Sequence, residues 1–180
     1  MLADKVNAGT ALTWEDVDGA QWCVASSPTS SAGYVYPTLW LIDNFDKKIS
    51  DLTKTPLPGS YGDIAANLAS GLCDVGVGFA DIRRNSEADW TTTFKRTESI
   101  WVETDVIGVT DKIFNDTISV SLNHPEVTDN FKKAVQESFI EIAKTEAGKA
   151  AVKVYSHEGY EVVTDADYDG ARKAADVVKG

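Results

Sequence analysis

The sequence predicts an α/β fold with a mainly parallel sheet. Three observations carry this. Short apolar strand-like runs at residues 21–26 and 73–79 alternate with helical stretches at 33–45 and 63–70. Capping and stop residues sit at the junctions between them. The composition, 43% hydrophobic and 25% charged, is that of an ordinary globular chain.

The elements follow in order. Thr13-Trp14-Glu15-Asp16 reads as a helical turn with Thr13 as cap and Asp16 three residues on, stopped at Gly19. Residues 21–26 read as a strand, followed by a polar loop over 26–32. Residues 33–45 are apolar and helical, with Pro37 tolerable only in the first turn. Pro56-Leu57-Pro58-Gly59-Ser60 is a break. Residues 63–70 form a helix ending at Gly71. Residues 73–79 are a short strand, and 101–109 and 118–122 are extended. The remainder is mostly helical. Pro125 suits a first helical position, and Val127, Phe131, Val135, Phe139 and Ile142 share one apolar face at spacings of three and four. Gly148 punctuates this stretch, and Thr164 or Asp165 caps a last helix running to Val178.

The 180 residues suffice for one domain or two small lobes. No apolar run is long enough to span a bilayer, and the N-terminus carries no signal-peptide pattern. The formal net charge of −11, with only Arg83-Arg84 and Lys47-Lys48 as basic pairs, excludes nucleic acid and anionic lipid as partners. It does not exclude a small anion held by backbone N–H groups. Cys23 and Cys73 provide no metal site. They read as two buried free thiols, with a disulfide between neighbouring strands as the alternative, which needs an oxidising compartment.

Ser26-Ser27-Pro28-Thr29-Ser30-Ser31-Ala32-Gly33-Tyr34 lies between a strand and a helix. Such a turn aims unpaired N–H groups at one spot, with hydroxyls around it and Gly33 permitting close backbone approach. The alternative is a polar helix cap. No Gly-x-x-x-x-Gly-Lys is present, so this is not a nucleotide phosphate loop. Asp165-Ala166-Asp167-Tyr168-Asp169-Gly170 with Asp176 approaches a calcium-loop pattern. Asp176 in place of Glu, Arg172 at the aliphatic position and an extended lead-in argue instead for an acidic helix start. No metal site is assigned. His124 and His157 have no metal-ligand spacing and form no nucleophile–base pair, so no catalysis is expected. The five tryptophans read as core residues more often than as ligand platforms, with Trp90, in a polar stretch after Asp81, as the one candidate to face a cleft.

Motif order adds a resemblance. Asp16-Val17-Asp18-Gly19, a strand, then Ser30-Ser31-Ala32-Gly33-Tyr34 and Pro37 resemble the phosphate/phosphite/phosphonate substrate-binding proteins of ABC transporters. Gly59-Ser60-Tyr61, Gly71-Leu72-Cys73-Asp74-Val75-Gly76, residues 110–118 with Asn115-Asp116, and Gly159-Tyr160 followed by Asp165, Asp167 and Tyr168 continue the likeness in order. Ala32 stands for a serine, Tyr61 for a histidine and Phe114 for a proline. The resemblance implies a type II periplasmic-binding fold lacking the N-terminal half-lobe. Residues 1–11 would be a leader or hinge segment, and 12–115 one nearly complete α/β lobe. Residues 116–180 would be a return hinge and the C-terminal helices of the other lobe. It implies oxyanion binding by the hydroxyls of Ser30 and Ser31, the amides of Ala32 and Gly33, and Tyr61, without a cofactor. Asp81 and Asp116 match acidic pocket positions, where a carboxylate accepts from a protonated P–OH or a ligand ammonium. For Asp81 a helix cap or surface acid is the alternative. The implied function is capture of phosphonate, phosphite or phosphate for an ABC permease. The implied location is the periplasm or a lipoprotein at the cell surface. A non-transport sensing module and a truncated member without binding activity are the alternatives. An apolar face left bare on the C-terminal helices would pair copies into a homo-oligomer.

Overall fold

Strand β1 (Trp22–Ala25) runs through the middle of a three-stranded parallel sheet, between β2 (Leu57–Gly59) and β3 (Val75–Gly76). Cys23 pairs with Leu57 and Ala25 with Gly59 on one side; Trp22 pairs with Val75 and Cys23 with Gly76 on the other. The computed structural model describes residues 2–114, 117–121, 123–155 and 157–179. It comprises two units, Met1–Ile113 with Gly170–Gly180, and Phe114–Asp169.

In the first unit, α1 (Leu2–Asn7) and α2 (Trp14–Asp18) precede the sheet. The reciprocal bonds between Thr13 and Asp16 start α2 as the sequence predicts. Side chains alternate along β1. Trp22 and Val24 pack with Val17, Leu41 and Ile49, while Cys23 packs with Ile64 and Cys73. Leu41 belongs to α3 (Tyr36–Phe45) and Ile64 to α4 (Tyr61–Ser70), so the two helices cover opposite faces. The strand order requires this: the chain steps from β1 out to β2, then back across to β3, and right-handed crossovers in opposite directions lie on opposite faces. Gly71 ends α4 in the left-handed conformation, φ 77°.

Four local readings are corrected. Residues 57–59, read as a break, form an edge strand. The Gly59 carbonyl accepts from the Ser26 amide at 3.0 Å. Pro58, one residue off that phase, therefore turns its missing N–H away from β1. α5 (Ile82–Thr92) was not anticipated, because this polar helix buries only Ser86 and Trp90. Trp90 does not face a cleft. It is 1% exposed, in a cluster with Ala69 and Ile100, and its indole N–H donates to Glu103 at 2.6 Å. α6 (Ile100–Glu103) replaces the start of the extended stretch expected at 101–109. Its Glu103 also receives two bonds from the Arg96 guanidinium, at 2.9 and 3.1 Å.

Cys23 and Cys73 are joined in a disulfide, which corrects the reading as free thiols. α9 (Asp169–Lys179) sets Ala174 against Val35 and Tyr36. The end of the chain, from Gly170, belongs to the first unit.

In the second unit, α7 (Asp129–Lys144) starts at Thr128, whose hydroxyl accepts from the Phe131 amide at 3.2 Å. Pro125 lies in the preceding turn rather than at the first helical position. α8 (Glu146–Val152) is capped in the same way by Thr145. Phe131, Phe139 and Ile142 on the apolar face of α7 are 47%, 38% and 57% exposed. Thr164 and Asp167 cap a 3-10 turn, Asp165–Tyr168, so the aspartates of the calcium-like run open a helix. Residues 117–121 join no sheet.

The capping and paired carboxylates set a pH dependence. Hydrogen bonds from Lys5 hold Asp16 below the usual carboxylate range, bonds from Ser60 do the same for Asp63, and those from Arg96 for Glu103. A depressed folded-state pKa gives stability that is present above the unfolded value, about 4, and is lost as pH falls through the folded value. The melting temperature is therefore expected to hold from neutral pH to about 5 and to fall below about 4. The fall should be shallower in Glu103→Gln. A melting temperature that rises on acidification below pH 4 would contradict this.

Candidate functional site

In a parallel sheet all strands end on one edge, and ligands of open α/β sheets bind beyond that edge. β1 ends into the serine loop, β2 ends into Ser60-Tyr61, and β3 ends into the segment that holds Phe79 and Asp81. The site residues expected in the first unit thus all follow carboxyl ends of strands.

The serine loop opens α3 through a π-helical turn, Ser31–Val35. The Tyr34 and Val35 amides both bond the Ser30 carbonyl at 3.0 Å. The amides of Ser31, Ala32 and Gly33 precede that first helical bond and are the orphan donors of the helix start. The Ser30 side chain does not cap them. Its hydroxyl meets the Tyr61 hydroxyl instead, Oγ to Oη 3.2 Å, and either oxygen can be the donor. Ser31 is exposed and Gly33 buried. A Cβ on Gly33 would strike the Ala25 side chain and would lie 3.0 Å from Ser30 Oγ and 3.3 Å from Tyr61 Cε1. Glycine is what lets the turn settle on the end of β1 with Ser30 and Tyr61 alongside.

The neighbouring helix start is built differently. Ser60 and Asp63 form a closed capping box: the Ser60 amide and hydroxyl donate to Asp63 Oδ2 at 2.9 and 2.7 Å, and the Asp63 amide donates back at 3.2 Å. These bonds keep Asp63 ionised, so the positive end of α4 already has its anion. The turn at Ser30 has hydroxyls and free amides and no such carboxylate cap. Of the two, it is the one that can receive an oxyanion.

Ser30, Gly33 and Tyr61 are brought together, with Ser31 and Ala32 on the same turn. Asp81 occupies the cap position of α5, where its exposed carboxylate makes no capping bond and lies 3.6 Å from Arg84. Asp116 lies outside the described residues. Sequence reasoning missed Phe79, whose ring meets Tyr61. It also missed the Ser60–Asp63 box, although Ser-x-x-Asp was readable as a helix start. Among the described residues, no three or more His, Cys, Asp and Glu side chains are grouped to hold a metal.

Residues 5–168 match the family model of the phosphonate substrate-binding proteins of ABC transporters, which are periplasmic. The chain belongs to this family. Among curated proteins, this family member is 28% identical over 180 residues to the "Phosphate-import protein PhnD" of Mycolicibacterium smegmatis (strain ATCC 700084 / mc(2)155), covering 91% of the chain and 52% of that relative. The chain therefore spans about half the length of the curated relative it matches. No solved structure matches it. As a member of the phosphonate-binding family it has a mixed α/β architecture with a parallel sheet, and among the described residues no helix is long and apolar enough to cross a membrane.

Proposed function

We propose that this chain takes part in capturing a small phosphorus oxyanion, namely phosphonate, phosphite or phosphate, outside the cytoplasmic membrane for an ABC permease. The observation that carries the reading is the turn at Ser30, which has no side-chain cap and whose Ser30 hydroxyl meets that of Tyr61 at 3.2 Å; in this reading the amides of Ser31, Ala32 and Gly33 and the Ser31 hydroxyl join them around the oxyanion. The donors are neutral, so binding comes from hydrogen bonds to the charged oxygens rather than from a counter-charge. Asp81 and Asp116 are the acceptors in this reading, each accepting a hydrogen bond from a P–OH or a ligand ammonium and so favouring those protonated forms over a bare oxyanion. The type II lobe arrangement belongs to the same proposal. The Cys23–Cys73 disulfide suits an oxidising extracytoplasmic compartment.

Calorimetric titration with methylphosphonate, 2-aminoethylphosphonate, phosphite and phosphate tests it. Binding of at least one is expected, and a folded sample that binds none of the four defeats the reading. Ser31→Ala should weaken the bound oxyanion by about 1–3 kcal/mol, one hydrogen bond to a charged group. An unchanged affinity would make the turn a helix cap only.

A further inference from the structure

Phe79 sits half-buried on the segment leaving β3, two residues before Asp81. Its ring meets the Tyr61 ring edge to face, with centroids 5.0 Å apart and planes at 79°. Tyr61 is the first residue of α4, so the pair links the loops that follow β2 and β3. The body of Tyr61 packs on the cluster of Cys23, Ile64 and Cys73, while its hydroxyl stands 3.2 Å from Ser30 Oγ. That hydroxyl is at the far end of a rigid ring, so a modest rotation at the Cβ carries it out of hydrogen-bond range of Ser30. The Gly33 backbone approaches the ring from the serine turn. The edge-to-face contact with Phe79 is the aromatic restraint from the β3 side, and its geometry is set by ring quadrupoles rather than by buried volume alone.

We infer that Phe79 is a positioning residue for oxyanion capture: it holds the Tyr61 ring so that the Tyr61 and Ser30 hydroxyls converge on the ligand. The inference rests on the oxyanion reading of the Ser30 turn and adds to it a residue that touches no ligand. It explains why an aromatic residue follows Gly76-Val77-Gly78, a segment too short in side chains to wall the turn by itself.

The test uses Phe79→Leu, Tyr61→Phe and the double variant of the 180-residue chain, each checked for a cooperative melt. Inorganic phosphate and methylphosphonate are titrated calorimetrically. Tyrosine ring signals of the unligated protein are followed by NMR after ring-13C labelling, with Tyr61 assigned by its loss in Tyr61→Phe. Phe79→Leu should weaken binding about three- to tenfold, the value of one aromatic pair. Tyr61→Phe should weaken it about tenfold or more, and the double variant should be no weaker than Tyr61→Phe alone. The Tyr61 ring signals should move in unligated Phe79→Leu, and Phe79→Tyr should restore both signals and affinity. Losses that multiply in the double variant overturn the positioning role, because Phe79 would then act independently of Tyr61. Tyr61 signals that stay put in Phe79→Leu overturn the ring contact whether or not any ligand binds. Wild-type protein that binds neither of these anions, nor phosphite or 2-aminoethylphosphonate, overturns the oxyanion reading itself and the capture role with it.

Discussion

Replacing both Cys23 and Cys73 by Ala is expected to cost about 4 kcal/mol of stability. The bond spans 50 residues of sequence, and closing a loop of that size in the unfolded chain removes entropy worth about that much in the chain-entropy account. For a chain of this length the melting temperature should fall by on the order of 10 °C. The location raises the stakes. Cys23 is in the central strand and is fully buried; Cys73 enters β3 and is 3% exposed. The link therefore holds the α4 side of the sheet together at the strand from which the serine loop departs. Both sulfurs are shielded, so a mild reductant should leave the native protein intact and act only once the chain opens. Thermal unfolding of wild type and of the double variant, with and without a dithiol, measures this. A melting temperature within about 2 °C of wild type would refute it, as would two free thiols titrating in denatured, unreduced protein.

Gly33→Ala should remove oxyanion binding and destabilise the first unit together. The new methyl would run into the Ala25 side chain, Ser30 Oγ and Tyr61 Cε1. The Ala25 neighbour belongs to β1 and cannot swing away. Overpacking of this kind costs about 1–3 kcal/mol. Relief would come from moving the turn off the strand, or from pushing out Ser30 and Tyr61. Either movement breaks the convergence of the donors, and losing two hydrogen bonds to a charged group corresponds to a drop in affinity of about a hundredfold or more. Gly62→Ala is the control. Its methyl would meet only Ser60 Oγ, at 3.7 Å, in the first turn of α4, where alanine is the better helix former. It should bind as wild type does. Equal affinities for Gly33→Ala and Gly62→Ala would show that the turn does not hold the ligand.

What could be read in the sequence depended on how local its cause is. The Thr13 cap, the Gly71 stop and the central strand were legible, because each rests on adjacent residues or on an apolar run. β2 was not, since prolines flanking a glycine signal a break, and only the pairing partner shows that Pro58 stands outward on an edge. α5 was missed because its burial is confined to Ser86 and Trp90, which leaves no apolar stripe to count. The start of the stretch read as extended, Trp101 and Val102, lies in α6, where its propensity gives way to the bonds that Glu103 makes with Trp90 and Arg96. The same division runs through the site. The serine turn is contiguous in sequence and was visible. The meeting of Ser30 with Tyr61 was expected only through resemblance, and that of Tyr61 with Phe79 not at all, for each depends on two loops distant in sequence sharing one sheet edge.

Pro58 has a consequence beyond its own strand. The outer side of β2 presents to any incoming strand only the backbone of Pro58, a carbonyl acceptor with no N–H donor beside it. A short edge of three residues broken in this way is a poor template for another chain. Sheet growth is thereby disfavoured on that side, and the exposed backbone of β2 does not recruit a neighbouring chain.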